Sequence, residues 1–267
     1  FTDDQRATFR NEPHRLQELR GFLESAFAEN FADAVVDAKS ERLEQIEQAC
    51  RANLYEHVTD PELRRRLEPD YRAACKRLVV SADFYDAIQK PNAEPIACVE
   101  PRGIRTEVGR LHELDVLVLA TGFEVDRFMR PTVITGIDER TLEEAWVEGP
   151  VAYLSVSIPG FPNLFMLNGP NGPVGNFSLI QVAELQMGYI MHLVHRLQAG
   201  VSTEIHATES ATREQEARRI EAAQATVWVT GCNSWYLDAR GVPAAWPWPF
   251  SSFRAAMAEP DLAAYHH

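Results

Sequence analysis

The chain is 267 residues long, with 45% hydrophobic and 24% charged residues and a formal net charge of −13. That length carries one large domain or two modest ones with a real core, and the composition excludes wholesale disorder. So acidic a surface repels a phosphate backbone, which argues against nucleic acid as a partner. No apolar run reaches the roughly 18 residues of a membrane span, and no basic-then-apolar signal segment opens the sequence. Cys50, Cys75, Cys98 and Cys232 are far apart, with no CxxC and no metal-ligand spacing. They read as reduced thiols in a cytoplasmic protein. The chain begins with Phe1 and runs directly into a helical pattern, so a piece of something longer is expected.

Residues 1 to about 69 read as helical and strand-free. Phe22, Phe27, Phe31, Val35, Val36, Leu43, Ile46 and Leu54 recur at near-helical spacing, and Gly21 is the only glycine. Asp60-Pro61 is an N-cap followed by proline at the first helical position, starting a short helix through Leu67. From about Tyr71 short apolar runs alternate with turns: Leu78–Val80, Ile96–Val99 and Asp115–Ala120. The last is apolar on both faces and ends in Thr121-Gly122, the pattern of a strand inside a parallel sheet.

A further short strand is expected at Leu164–Leu167. It leads into the glycine-spaced turn Gly169-Pro170-Asn171-Gly172-Pro173-Val174-Gly175-Asn176 and then a long helix to about Gln198. That helix is apolar nearly all round, which predicts deep burial, and Gly200 follows it as a C-terminal cap. A second helix runs from about Glu209 to Val227. The tail, rich in tryptophan and proline, should be ordered by packing rather than by regular structure.

Three features could carry chemistry. The glycines at 169, 172 and 175 let backbone amides approach a ligand at a helix N-terminus, although the spacing is not GxGxxG and a plain strand–helix connection would use them too. Lys76-Arg77, adjacent cations on an acidic protein, could grip a phosphate or stabilise a developing anion; the alternative is a solvated pair. Trp235 and Tyr236 could stack on a ring or simply fill a core. Arg64-Arg65-Arg66 reads as a charged helix face. His192 and His195, three apart on the long helix, read as core histidines rather than metal ligands, since no HExxH pattern surrounds them.

Together these motifs resemble the C-terminal part of a Baeyer–Villiger-type flavin monooxygenase. The resemblance rests on Cys75-Lys76-Arg77-Leu78 with Ser81-Ala82-Asp83-Phe84-Tyr85, and on Pro91-Asn92-Ala93-Glu94. It continues through Asp115 to Phe123, Pro159 to Phe165 with Gly169-Pro170-Asn171, and Cys232 to Tyr236 with Trp246-Pro247. It spans about residues 60 to 250, with the motifs in order. Residues 1–59 resemble the family's helical insertion in character alone.

The resemblance implies an α/β fold: the C-terminal portion of a flavoprotein with two Rossmann-like dinucleotide-binding domains, of the glutathione-reductase type. Residues 1–70 would be a helical insertion of the NADPH-binding domain, 71–114 that domain's last strands, and 115–267 the C-terminal part of the FAD-binding domain. It implies FAD and NADPH as cofactors, and insertion of oxygen into a ketone through a C4a-peroxyflavin to give an ester or lactone. Arg77 would stabilise the peroxide anion, in keeping with a guanidinium's permanent charge. Lys76 and Trp235 would contact NADP, Thr121, Gly122 and Phe123 would bind cofactor with Thr121-Gly122 at the crossing between domains, and Gly169, Pro170, Asn171 and Asn176 would face the flavin.

The family's two GxGxxG fingerprints, its FxGxxxHxxxW signature and the acidic partner of its arginine are not in this sequence. The N-terminal half of the enzyme is therefore the expected partner, with a ketone and molecular oxygen as small-molecule partners. Nitrogen or sulfur oxygenation on the same scaffold is the alternative chemistry, and a non-catalytic scaffold derived from such an enzyme the alternative class.

Overall fold

A computed structural model describes residues 1–175 and 177–267, with the side chains of Glu29 and Asn30 left aside. In chain order the elements are α1 (Asp3–Asn11), α2 (Pro13–Phe27), α3 (Asp33–Val35), α4 (Glu41–His57), α5 (Pro61–Leu67) and α6 (Phe84–Ile88). Strands β1 (Ile96–Glu100), β2 (Gly103–Thr106) and β3 (Leu111–Glu113) follow, then α7 (Leu142–Ala145) and α8 (Leu179–Gln198). The chain ends with β4 (His206–Ala207), α9 (Glu209–Ala223), α10 (Phe250–Ala256) and β5 (Tyr265–His266). A run of six helices precedes the strands in this α/β chain, whose described sheets, β1-β2-β3 and β4-β5, are both antiparallel.

Two compact units emerge: residues 1–45, 71–77 and 125–267 form one, and residues 46–70 and 78–124 the other. In the larger unit, α8 supplies the central wall. Its buried residues Val182, Gln186, Tyr189, Ile190 and Leu193 fall at helical spacing on one face. They share a core with Leu154, Val156, Phe177, Ile205, Trp246, Phe250 and Phe253. Phe177 stacks on Phe250 at 4.6 Å. Ser178 caps α8 by accepting from the Gln181 amide, and Gly200, at φ +68°, follows the C-cap Ala199. A second cluster gathers Leu142, Trp146, Ile158, Phe161 and Met166.

The burial of α8 is narrower than its composition predicts. Leu179, Ile180 and Met187 are exposed, because its core covers one side only. His192 and His195 are exposed as well, so they are surface residues rather than core histidines. The tryptophan-rich tail behaves as expected: Trp246 is buried, packs edge-on against Phe253 and donates its ring N–H to Ser252.

In the smaller unit Asp60 caps α5 by accepting from the Glu62 amide at 2.9 Å, as its sequence predicts. The three-stranded sheet is pinned by Glu94, whose carboxylate pairs with Arg110 at 2.8 Å and accepts from the Thr106 hydroxyl at 2.7 Å. Arg64 donates to the Val58 carbonyl and lies over the Tyr55 ring, so it does more than decorate a charged face.

Two expected strands of this unit are absent. Leu78–Val80 and Asp115–Ala120 belong to no strand and pair with none among the described residues. Val80 is 100% exposed and Val118 79%. The apolar pattern is that of a strand inside a parallel sheet, but such an interior strand needs neighbours on both edges to close its hydrogen bonds, and the described residues supply none. Leu164–Leu167 likewise contributes only a bridge, Ser157 to Phe165.

Candidate active site

Trp235, the end of the glycine turn and Arg77 all come near one buried side chain, Tyr236. It is 4% exposed, and its ring lies between Trp235, stacked at 4.1 Å, and Trp228 at 5.2 Å. The phenolic oxygen lies against the α-carbon of Gly175, and Arg77 is near enough for its charge to act on the phenol. Burial pushes the Tyr236 phenol above its ordinary range, and the charge of Arg77 opposes that rise. Arg77 and Lys76 are exposed, with the Lys76 ammonium 4.3 Å from the centre of the Tyr71 ring.

The Arg77 segment is joined covalently to the same loop. Cys75 and Cys232, 157 positions apart, form a buried disulfide with their α-carbons 6.2 Å apart. The expectation of four reduced thiols is thus corrected: only Cys50 and Cys98 are free, and both are exposed. Spacing along the sequence could not show the pairing, because folding brings the two segments together.

The glycine-spaced turn is held from below by side chains that motif reading passed over. The Ser155 hydroxyl donates to the Gly169 carbonyl at 2.6 Å. Gln186, fully buried on α8, accepts from the Asn168 amide at 2.7 Å and donates to the Ser155 carbonyl at 3.3 Å. Gly172 backs onto Ser155 so closely that a Cβ would collide with its hydroxyl, and its carbonyl accepts from the Trp246 amide at 3.1 Å. Gly175, at φ +82°, has no room for a side chain because Tyr236 fills the space. A polar residue at each of two core positions was the available signal for Ser155 and Gln186, but neither lies within a motif.

Gly169 and Pro170 are buried and Asn171 half-buried, in the left-handed region at φ +65°. The side-chain oxygens of Asn168 and Asn171 are buried acceptors with no partner among the described residues. Asn176 lies outside the described residues. Thr121, Gly122 and Phe123 belong to the smaller unit and are exposed, Phe123 at 96%. Trp235 keeps 42% of its surface open. The exposed cations Lys76 and Arg77 suit an anionic ligand, and the open face of Trp235 suits a flat ring.

No family model matches the chain. Individual relatives do. An uncharacterised monooxygenase of Mycobacterium tuberculosis is 46% identical over 213 residues, covering 78% of this chain and 43% of the relative. A Baeyer–Villiger monooxygenase of Streptomyces coelicolor is 37% identical over 227 residues, 82% of this chain and 44% of the relative. Cyclohexanone monooxygenase from Rhodococcus sp. Phi1, solved with NADP+ bound, superposes with a TM-score of 0.72 at 29% identity. That match covers 86% of this chain and 46% of the other. The chain belongs with the Baeyer–Villiger-type flavin monooxygenases and corresponds to their C-terminal part.

It spans less than half the length of the relatives it matches. The solved flavin monooxygenases have two dinucleotide-binding domains, and this α/β chain superposes on a portion of them. Among the described residues no helix is long and apolar enough to cross a membrane.

Proposed function

We propose that this chain is the C-terminal part of an FAD- and NADPH-dependent monooxygenase that inserts oxygen into a ketone to give an ester or lactone. The observation that carries the reading is that Arg77, the turn ending at Gly175, and Trp235 all come near one buried tyrosine. A chain freed from catalysis has no structural need for an exposed arginine and an open tryptophan on so constrained a support.

The residues present fit the two cofactors. The unpartnered oxygen of Asn171 can accept from a flavin N–H, and the surrounding turn of Gly169 and Pro170 would support the ring. Lys76 would bind phosphate and Trp235 would cover the nicotinamide nucleotide. The bound flavin, reduced by NADPH, supplies the activation of molecular oxygen. Arg77 then does what the protein must do. Its guanidinium holds positive charge where negative charge develops on the reacting oxygen, and donates hydrogen bonds to it.

The relatives' N-terminal part is the proposed partner. It would pair with the exposed stretches Leu78–Val80 and Asp115–Ala120, turning them into strands of Rossmann-like sheets. In that completed fold residues 1–70 form the helical insertion of the NADPH-binding domain, 71–114 its last strands, and 115–267 the end of the FAD-binding domain. Thr121, Gly122 and Phe123 mark the crossing between the two domains, a natural hinge.

The test is product analysis on protein completed with the N-terminal part of its relatives' length. Retained FAD, NADPH-dependent oxygen uptake and an ester or lactone from a cyclic ketone support the reading. Oxygenation confined to nitrogen or sulfur substrates overturns the ketone chemistry. Completed protein that binds no flavin overturns the enzymatic reading and favours a scaffold.

A further inference from the structure

We propose that the cavity lined by α9 and the tryptophan-rich tail is a binding site for a zwitterion, an α-amino acid with an apolar or aromatic side chain. None of the residues expected to hold FAD or NADPH lines it, so the inference goes beyond the monooxygenase reading and does not depend on it. The cavity measures about 340 Å³ and lies wholly within the larger unit. That is the lower end of the roughly 300–1,000 Å³ of small-molecule sites, which suits a ligand the size of an amino acid rather than a dinucleotide.

Its walls are aromatic and fixed. Trp246 is buried, with the Trp248 ring edge-on to it at 4.7 Å and that of Phe253 at 5.2 Å. Pro247 and Pro249 flank Trp248 and restrict its backbone. Tyr153, the third aromatic wall, packs edge-on against the Tyr265 ring at 5.7 Å. Three charged side chains line the same space: Arg218 from α9, and Glu259 and Asp261 from the segment after α10. Asp261 accepts from the Ala263 amide at 3.1 Å, which holds its carboxylate in place. Arg140 and Arg240, in the same unit, each close on a carboxylate, Glu209 at 3.4 Å and Asp238 at 2.7 Å. Arg218 does not: among the described residues it forms no ion pair, although two carboxylates share its cavity.

A site that keeps both signs of charge apart beside a flat apolar wall is complementary to a molecule carrying both signs on an apolar body. The Arg218 guanidinium is a fork that holds a carboxylate by two parallel hydrogen bonds. Glu259 and Asp261 take the ammonium, which the tryptophan faces also attract. The apolar side chain lies on Trp246 and Trp248, and its removal from water adds to the affinity. A ligand with only one of the two charges leaves the opposite group of the site unpaired.

Three probes with one aromatic body test this by isothermal titration of the completed protein: phenylalanine, phenethylamine and 3-phenylpropanoate. Phenylalanine should bind with a dissociation constant below about 1 mM, and each singly charged probe at least roughly 10-fold more weakly, the scale of one charge-assisted hydrogen bond. Arg218→Gln should weaken phenylalanine about 10-fold and leave phenethylamine unchanged, because only the carboxylate meets the guanidinium. Arg218 is exposed, so that variant should keep the wild-type thermal midpoint. Trp248→Ala should weaken all three probes. Phenethylamine binding as tightly as phenylalanine overturns the zwitterion. Phenylalanine binding that Arg218→Gln leaves unchanged lies elsewhere on the protein and overturns the site. No saturable binding of phenylalanine up to about 10 mM overturns the proposal outright.

Discussion

The α-carbon of Gly175 lies against the hydroxyl of Tyr236, with no space between them for a single methyl group. Sixty-one positions apart in the sequence, the two residues lock the end of the glycine turn onto the loop that carries Trp235. Gly175 is also in the left-handed region, at φ +82°, where a side chain is strained whatever the space.

Gly175→Ala should therefore be costly twice over, through strain and through displacement of Tyr236. The expected loss is on the order of 2–4 kcal/mol, read from denaturant unfolding. Near-ultraviolet circular dichroism should change as well, because the Trp228–Tyr236–Trp235 stack must shift. A variant with wild-type stability and an unaltered aromatic spectrum would contradict the contact.

The disulfide makes a simple chemical prediction. Native protein should show two reactive thiols, Cys50 and Cys98, and four after reduction and unfolding. Replacing Cys75 and Cys232 together by serine should cost roughly 2–5 kcal/mol, the range for a cross-link closing a long loop. Four reactive thiols in the unreduced protein would contradict the pairing.

His206 gives stability a pH dependence. It is buried, its Nδ1 accepts from the Gly160 amide at 3.1 Å, and its ring lies 4.9 Å from that of His266. Burial holds its pKa below the ordinary histidine value. The unfolded chain thus takes up the proton first as pH falls. The contribution of His206 is complete above about pH 6.5 and declines as the pH drops through and below that value. His206→Asn keeps an acceptor without titrating and should flatten the fall in thermal midpoint between neutral and mildly acidic pH. An identical pH profile in the variant would assign the fall to other groups.

Gln186 tests the support beneath the turn. It is fully buried and holds both the Asn168 amide and the Ser155 carbonyl. Gln186→Leu fills nearly the same volume but leaves those groups unpaired, so a loss of about 1–3 kcal/mol is expected. Flavin retention in the completed protein should fall with it. Unchanged stability and flavin content would show that the turn needs no such support.

Much of this architecture is legible in the sequence, for identifiable reasons. The caps at Asp60 and Gly200, the long α8 and the helical opening follow from local rules that act within a few residues. Motif spacing also singled out Lys76-Arg77, the glycine turn and Trp235 as candidates. What the sequence could not reveal were relations across long stretches of chain. The Cys75–Cys232 link, the contact of Tyr236 with Gly175, and the support from Ser155 and Gln186 depend on tertiary packing. The run Asp115–Ala120 shows the opposite case: its pattern is a buried strand, but the described residues provide no sheet to receive it. Sequence pattern reports what a segment would bury, and structure reports whether the partner is there.

The central claim is that Arg77 supplies the charge on which oxygen transfer to a ketone depends. The most direct measurement compares wild-type and Arg77→Ala forms of the completed protein, with FAD content and NADPH oxidation measured beside ester formation. The account predicts full flavin occupancy and continued NADPH oxidation in the variant, with ester formation reduced at least 100-fold, the scale on which losing one oxyanion-stabilising donor is felt (about 3 kcal/mol). Ester formation at the wild-type rate in Arg77→Ala would contradict it.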